Sequence, residues 1–150
     1  MIDLEARDFS IRQRVLVVED EPFIASDLED ALSFLRLDVV GPFADVHSAL
    51  SVDPVTVDFA LLDIHVTDGL VFPLAGRLAD RSIPFAFMSG DGANDLPGEW
   101  KNVPILQKPY LYEDFEQIVA MLMRQRHGLP KDGLGGKRES ARSTTGRLTS

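Results

Sequence analysis

The sequence predicts an α/β fold, with a parallel sheet covered on both faces by helices. Three observations carry that expectation. Apolar stretches of strand length lie at 15–18, 38–41 (the weakest), 59–62, 83–88 and 103–106. Between them apolar residues recur at helical spacing, and strands alternating with helices form βα units. Four of the runs also stop on polar residues of different chemistry. Val15-Leu16-Val17-Val18 ends on Glu19-Asp20, and Phe59-Ala60-Leu61-Leu62 on Asp63. Phe85-Ala86-Phe87-Met88 ends on Ser89, and Val103-Pro104-Ile105-Leu106-Gln107 on Lys108-Pro109. In an open parallel sheet the carboxyl ends of the strands share one edge, where ligands bind. Three carboxylates, a hydroxyl and an ammonium are therefore expected in one cleft.

Residues 1–13 carry charges at Asp3, Glu5, Arg7, Asp8 and Arg12, with no apolar core of a signal peptide, and read as an N-terminal extension. The globular domain is expected over 14–127. Its first helix opens at Pro22, since a first helical residue has no intrahelical use for its N–H. Phe23, Ile24, Leu28, Ala31, Leu32 and Leu35 continue it as an apolar stripe. A short helix follows over 45–50, with Asp45 as its N-cap. Leu70, Val71, Leu74 and Leu78 outline a third helix. The segment from Gly90 to Trp100 is rich in Gly, Asp and Pro and lacks a period, so a turn of helix or a loop is expected there. Trp100 is expected to lie partly buried beneath it. Leu111, Phe115, Ile118, Val119 and Leu122 mark the last helix as a core stripe. Glu113, Asp114 and Glu116 fall in its first turns, where the helix dipole favours acids. His47 and His127 read as solvated helix residues.

From Gly128 the composition turns to Gly, Ser, Thr, Lys and Arg, with too few large apolar residues to offset the entropy of ordering. This basic tail, 128–150, is expected to be disordered. It carries five Lys/Arg against two Asp/Glu, or +3, which leaves −12 on residues 1–127. An acidic domain of this kind is a poor nucleic-acid binder. With no cysteine, disulfides, thiolate metal sites and cysteine nucleophiles are excluded. No stretch approaches the ~18 apolar residues of a membrane span. A soluble, cytoplasmic protein with neither nucleic-acid nor membrane partners is the expectation.

The cleft inventory suits a divalent metal and a phosphoryl group. Mg²⁺ takes oxygen ligands, commonly one or two carboxylates with water and phosphate oxygens. Asp20 and Asp63 can supply the inner carboxylates, Glu19 can orient a metal-bound water, and the backbone carbonyl of His65 can complete the protein's share. Aspartate also serves as a nucleophile that forms an acyl phosphate. Phosphoryl transfer asks mainly for alignment and neutralised oxygen charge. Lys108 would contribute to that neutralisation, and the Ser89 hydroxyl would bond a phosphoryl oxygen.

The motifs Val-Val-Glu-Asp-Glu-Pro at 17–22, Leu-Leu-Asp-Ile at 61–64, Met-Ser-Gly at 88–90 and Gln-Lys-Pro-Tyr at 107–110 stand in an order and spacing that resemble the receiver domain of two-component response regulators. The resemblance covers residues 14–126. It implies a flavodoxin-like (βα)5 doubly wound sheet of strand order 2-1-3-4-5. It also implies Asp63 as phosphoacceptor and Glu19 and Asp20 as the acidic metal pair, with Mg²⁺ as cofactor. Ser89 becomes the switch hydroxyl, Ser89, Gly90 and Lys108 the phosphate-binding set, and Lys108-Pro109 a cis peptide bond.

Three departures accompany the match. Ile105 stands at the switch position usually held by an aromatic residue. Phe85-Ala86-Phe87-Met88-Ser89-Gly90 resembles the Phe-Ala-Thr-Gly subgroup, in which the fourth helix is short or irregular. His65 and Asp91 occupy the positions that tune phosphoryl lifetime. The expected function is a single-domain response regulator that takes phosphate from a sensor histidine kinase or histidine phosphotransfer protein. Its output would pass through a downstream protein on the surface of the fourth helix, fifth strand and last helix, where Tyr110 and Tyr112 lie, or through phosphorelay. It would not be an enzyme beyond self-catalysed phosphotransfer and autodephosphorylation. The alternative is a Mg²⁺-dependent phosphohydrolase with an aspartyl nucleophile.

Overall fold

Apolar residues on both faces of the strands demand cover on both sides, and the computed structural model, which describes residues 12–126, shows how it is supplied. His127 and the tail from 128 lie outside the described residues, as does the N-terminal extension apart from Arg12 and Gln13. Among the described residues five strands form the main sheet: β1 (Arg14–Val18), β2 (Asp38–Phe43), β3 (Phe59–Asp63), β4 (Phe85–Ser89) and β5 (Ile105–Gln107). Their order is β2-β1-β3-β4-β5, with every neighbouring pair parallel. This is the doubly wound order that the resemblance implies. Four helices accompany them over the same residues: α1 (Pro22–Phe34), α2 (Val46–Ala49), α3 (Phe72–Asp80) and α4 (Tyr112–Arg126).

Successive strand residues point to opposite faces. Val15, Val17, Leu61, Ala86 and Met88 meet Leu28 and Leu32 of α1 and Phe115, Val119 and Leu122 of α4. Leu16, Val18, Ala60, Leu62 and Phe87 meet Val46 and Ala49 of α2 and Leu74, Ala75 and Leu78 of α3. Each of the first two helix starts has a local cause. The Glu21 carboxylate accepts the Ile24 N–H at 3.0 Å ahead of Pro22. Asp45, the expected N-cap of α2, accepts the Ser48 N–H at 2.6 Å.

Several expectations change. Phe23 is 79% exposed rather than part of the core stripe, because it lies five residues before Leu28 and so turns away, while Ile24 takes the inward place. Leu111, 66% exposed, precedes the first residue of α4; Tyr110 instead stacks on Phe115, with ring centroids 6.1 Å apart. Leu70 is not helical. It belongs to a two-residue antiparallel ribbon, His65–Val66 against Gly69–Leu70, turned at Gly69 with φ +128°. The ribbon delays α3 to Phe72.

The fourth unit has two 3₁₀ turns, Gly92–Asp95 and Gly98–Trp100, in place of a helix, as the breaker-rich sequence predicts. Cover for the sheet comes from an aromatic cluster. Trp100 stacks on Phe72 at 6.3 Å and meets Phe85 and Phe87 edge-on at 5.8 and 6.0 Å. Such pairs add to the burial of apolar area. Trp100→Ala is expected to lower stability by about 2–3 kcal/mol in urea unfolding followed by circular dichroism. Phe34→Ala, at a side chain 80% exposed, should stay within ~0.5 kcal/mol of the wild type.

Candidate functional site

The strand ends come together at the carboxyl edge. Glu19 and Asp20 follow β1, Asp63 and Ser89 close β3 and β4, and Lys108 follows β5. One carboxylate oxygen from each of Glu19, Asp20 and Asp63 lies within 4.8 Å of the other two. Lys108 Nζ bonds Glu19 Oε1 at 2.7 Å and reaches Asp63 Oδ2 at 3.3 Å. Glu19 is buried because the chain around it is pinned. Its N–H donates to the Phe43 carbonyl at 2.9 Å, and its Oε2 accepts the Glu21 N–H at 3.0 Å. The first of these bonds follows a register shift between β1 and β2 opposite Gly41. Gly41 has φ +108°, and a Cβ there would sit 2.9 Å from the Val17 carbonyl oxygen. Only glycine allows so close a backbone approach.

The electrostatics follow from this crowding. Burial, and then the neighbouring Glu19 charge, push the Asp63 carboxyl from 3.8 up to about 7, against the pull of Lys108. Burial works against the Lys108 ammonium, yet its bond to Glu19 and the charges of Asp63 and Glu19 hold its pKa above the ordinary lysine value. Burial, with the charges of Glu19 and Asp27, raises the Tyr110 phenol to about 12. Three acidic groups with Lys108 between two of them leave surplus negative charge on hard oxygen donors, and one carboxyl already driven toward its neutral form. That donor set fits a small divalent cation, which would relieve the repulsion.

The other expected residues surround this centre. The Ser89 Oγ accepts the Asp91 N–H at 3.0 Å, and the Ser89 carbonyl accepts the Lys108 N–H at 2.8 Å. Gly90 and Asp91 are exposed at the mouth, as is His65 at the start of the ribbon. Ile105 is half-buried on β5 opposite Phe87, and the Lys108–Pro109 bond is cis. Thr67 is a residue that motif reasoning misses: its Oγ1 donates to Asp20 Oδ2 at 3.4 Å. The sequence offers only an indirect signal for it, the turn residues Asp68-Gly69 that follow.

Asp63 gives the metal-free protein a definite pH dependence. Its folded-state pKa lies above the ordinary 3.8, so the neutral carboxyl favours folding at low pH, and that contribution is lost as pH rises through about 7. Asp63→Asn is therefore expected to raise metal-free stability at pH 8 by ~1–2 kcal/mol, solvent screening at the cleft mouth trimming the full value. The difference from wild type should close toward pH 4 in chelator-treated thermal unfolding.

Among the described residues no helix is long and apolar enough to cross a membrane. No protein-family model and no curated protein matches the chain. Solved structures do. The solution structure of SdrG from Sphingomonas melonis Fr1 is 35% identical with a TM-score of 0.65, over 75% of this chain and 97% of that one. The BeF3-activated conformation of SdrG from Pseudomonas melonis Fr1 is 37% identical, TM-score 0.62, over 73% and 95%. A CheY-like response regulator receiver domain from Methylobacillus flagellatus shares the fold at 23% identity and TM-score 0.64, over 75% and 99%. Identity above one third across almost the whole of SdrG, together with this chain's doubly wound sheet and assembled acidic strand-end cluster, means that this chain belongs to the family of response regulator receiver domains.

Proposed function

We propose that the chain is a phosphoacceptor switch. In this reading a sensor histidine kinase or histidine phosphotransfer protein donates a phosphoryl group to Asp63, with Mg²⁺ as cofactor. The observation that carries it is Asp63 itself, buried at a strand end with Glu19 and Asp20 within 4.8 Å and Lys108 at 3.3 Å. An Asp63 carboxylate oxygen attacks phosphorus, the P–N bond of the phosphohistidine breaks, and the imidazole leaves with the electron pair. Glu19, Asp20, Asp63 and the His65 carbonyl would hold Mg²⁺, which supplies neutralising charge for the phosphoryl oxygens when bound. Lys108 exchanges part of its pairing with Glu19 for a phosphoryl oxygen. Ser89 gives up the Asp91 N–H to donate its own hydroxyl proton, and the Gly90 backbone lies beside it. His65 and Asp91, exposed at the mouth, are placed to influence the water that later hydrolyses the acyl phosphate.

Donor docking is assigned to the exposed apolar residues at the same end of the molecule, Phe23 at the start of α1 and Leu111 and Tyr112 at the start of α4. Both helices pack on one face of the sheet. Output is assigned to the side formed by the 3₁₀ turns, β5 and α4, where Ile105 cannot act as an aromatic gate. The aromatic cluster of Phe72, Phe85, Phe87 and Trp100 stands in for it. This arrangement, and the two 3₁₀ turns where the fourth βα unit would carry a helix, support membership of the Phe-Ala-Thr-Gly subgroup.

Asp63→Asn is expected to abolish acid-labile phosphate uptake from acetyl phosphate and from a cognate kinase; uptake by that variant would falsify the assignment. Lys108→Ala should retain Mg²⁺ binding while losing roughly 10²-fold or more in phosphotransfer rate, in line with a lost preorganised charge at the reacting group. Phe23→Ala should slow phosphotransfer from a kinase and leave labelling by acetyl phosphate unchanged, a pair of rates read on one radiolabelled gel.

A further inference from the structure

Of the three clustered carboxylates, Glu19 is held by Lys108 and the Glu21 N–H, and Asp63 lies against Lys108. Asp20, half-buried and so the more exposed member, meets a different kind of partner, the Thr67 hydroxyl at 3.4 Å. We infer that Thr67 is a positioning residue for the Asp20 carboxylate, tuning the affinity of the acidic cluster for Mg²⁺. The inference rests on the reading of Asp20 as a metal ligand.

The backbone that carries Thr67 is not an ordinary loose tip. Loop tips are commonly the mobile part of a domain. Here the ribbon pairs His65 with Leu70 and Val66 with Gly69, and the Val71 N–H closes its base on the Ile64 carbonyl at 3.0 Å. Beside Thr67, the Asp68 carboxylate takes the Val46 and His47 N–H groups at 2.8 and 3.0 Å, fastening the tip to the start of α2. The Thr67 N–H itself reaches the Ala44 carbonyl at 3.4 Å. A β-branched side chain on a tied backbone has few rotamers, so its hydroxyl is delivered to Asp20 with little further ordering cost.

The chemistry of a hydroxyl suits the task. It donates one proton to one lone pair of Oδ2 and leaves the remaining lone pairs of the carboxylate for a cation. Being neutral, it does not compete with that cation as an ammonium would. Outer-sphere hydrogen bonds of this kind orient ligands and raise metal affinity. The contact is long for an O–H···O bond. A modest effect, roughly 3- to 10-fold in Kd, is therefore expected rather than the larger losses of a short bond.

The test is calorimetric titration of MgCl2 into the metal-free full chain for wild type, Thr67→Val, Thr67→Ser and Asp20→Asn, with thermal unfolding of each in chelator. Thr67→Val should weaken Mg²⁺ binding roughly 3- to 10-fold at an unchanged metal-free Tm, and Thr67→Ser should restore it. Wild-type affinity in Thr67→Val, alongside a loss in Asp20→Asn, overturns the role of Thr67 and leaves the metal site intact. An equal loss in Thr67→Ser overturns it too, because the hydroxyl would then not be the cause. Absence of Mg²⁺ binding by wild type, or full binding by Asp20→Asn, overturns the metal reading beneath it.

Discussion

The structure depends on an arrangement of like charges that folding alone does not favour. Parallel strands carry Glu19, Asp20 and Asp63 to one edge, and the two most buried of them share Lys108. Burial strengthens every Coulombic interaction in the cleft. The same closeness that makes the cluster receptive to a cation makes it costly without one, and Asp63 shows this in its raised pKa. Lys108 is a provisional partner in that balance: it lies closer to Glu19 than to Asp63, so it is already displaced from the group proposed to carry the phosphate.

The surrounding chain is built to hold that cluster still. On one side the Gly41 irregularity in β2 lets the Phe43 carbonyl bond the Glu19 N–H. On the other, the ribbon after β3 brings Thr67 to Asp20 and Asp68 to the N-terminus of α2. The Ser89 carbonyl bonds the Lys108 N–H, which joins β4 to the lysine across the edge. These are short-range ties. They link the site to α2, β2 and β5 without a large conformational element between.

The readout side has different materials. Where the repeating pattern calls for a helix, the chain offers two 3₁₀ turns, and Trp100 closes the gap by packing on aromatic rings from α3 and β4. Ser89 lies on the same strand as Phe85 and Phe87, and its hydroxyl holds the Asp91 N–H that opens this segment. A receiver without an aromatic residue at 105 therefore still has rings within one strand of its hydroxyl.

Much of this is legible in the residues themselves. The alternation of apolar runs and helical stripes sets the α/β class. The polar residue closing each run locates Glu19, Asp20, Asp63, Ser89 and Lys108, because backbone direction alone brings parallel strand ends to one edge. The breakers between Gly90 and Trp100 foretell a missing helix, since Gly and Pro act locally. What tertiary structure decided depends on residues distant in sequence. Phe23 and Ile24 are both apolar; once Leu28 and Leu32 of α1 dock on the sheet, helical spacing carries Ile24 inward with them and turns Phe23 to solvent. The ribbon that took Leu70 from α3 exists because His65 and Leu70 could pair and the Asp68 side chain found α2. Thr67 met Asp20, 47 residues away, by the same route. Sequence determines composition, period and strand direction; contacts between separate elements require the packed chain, because each is selected by the geometry of all the others.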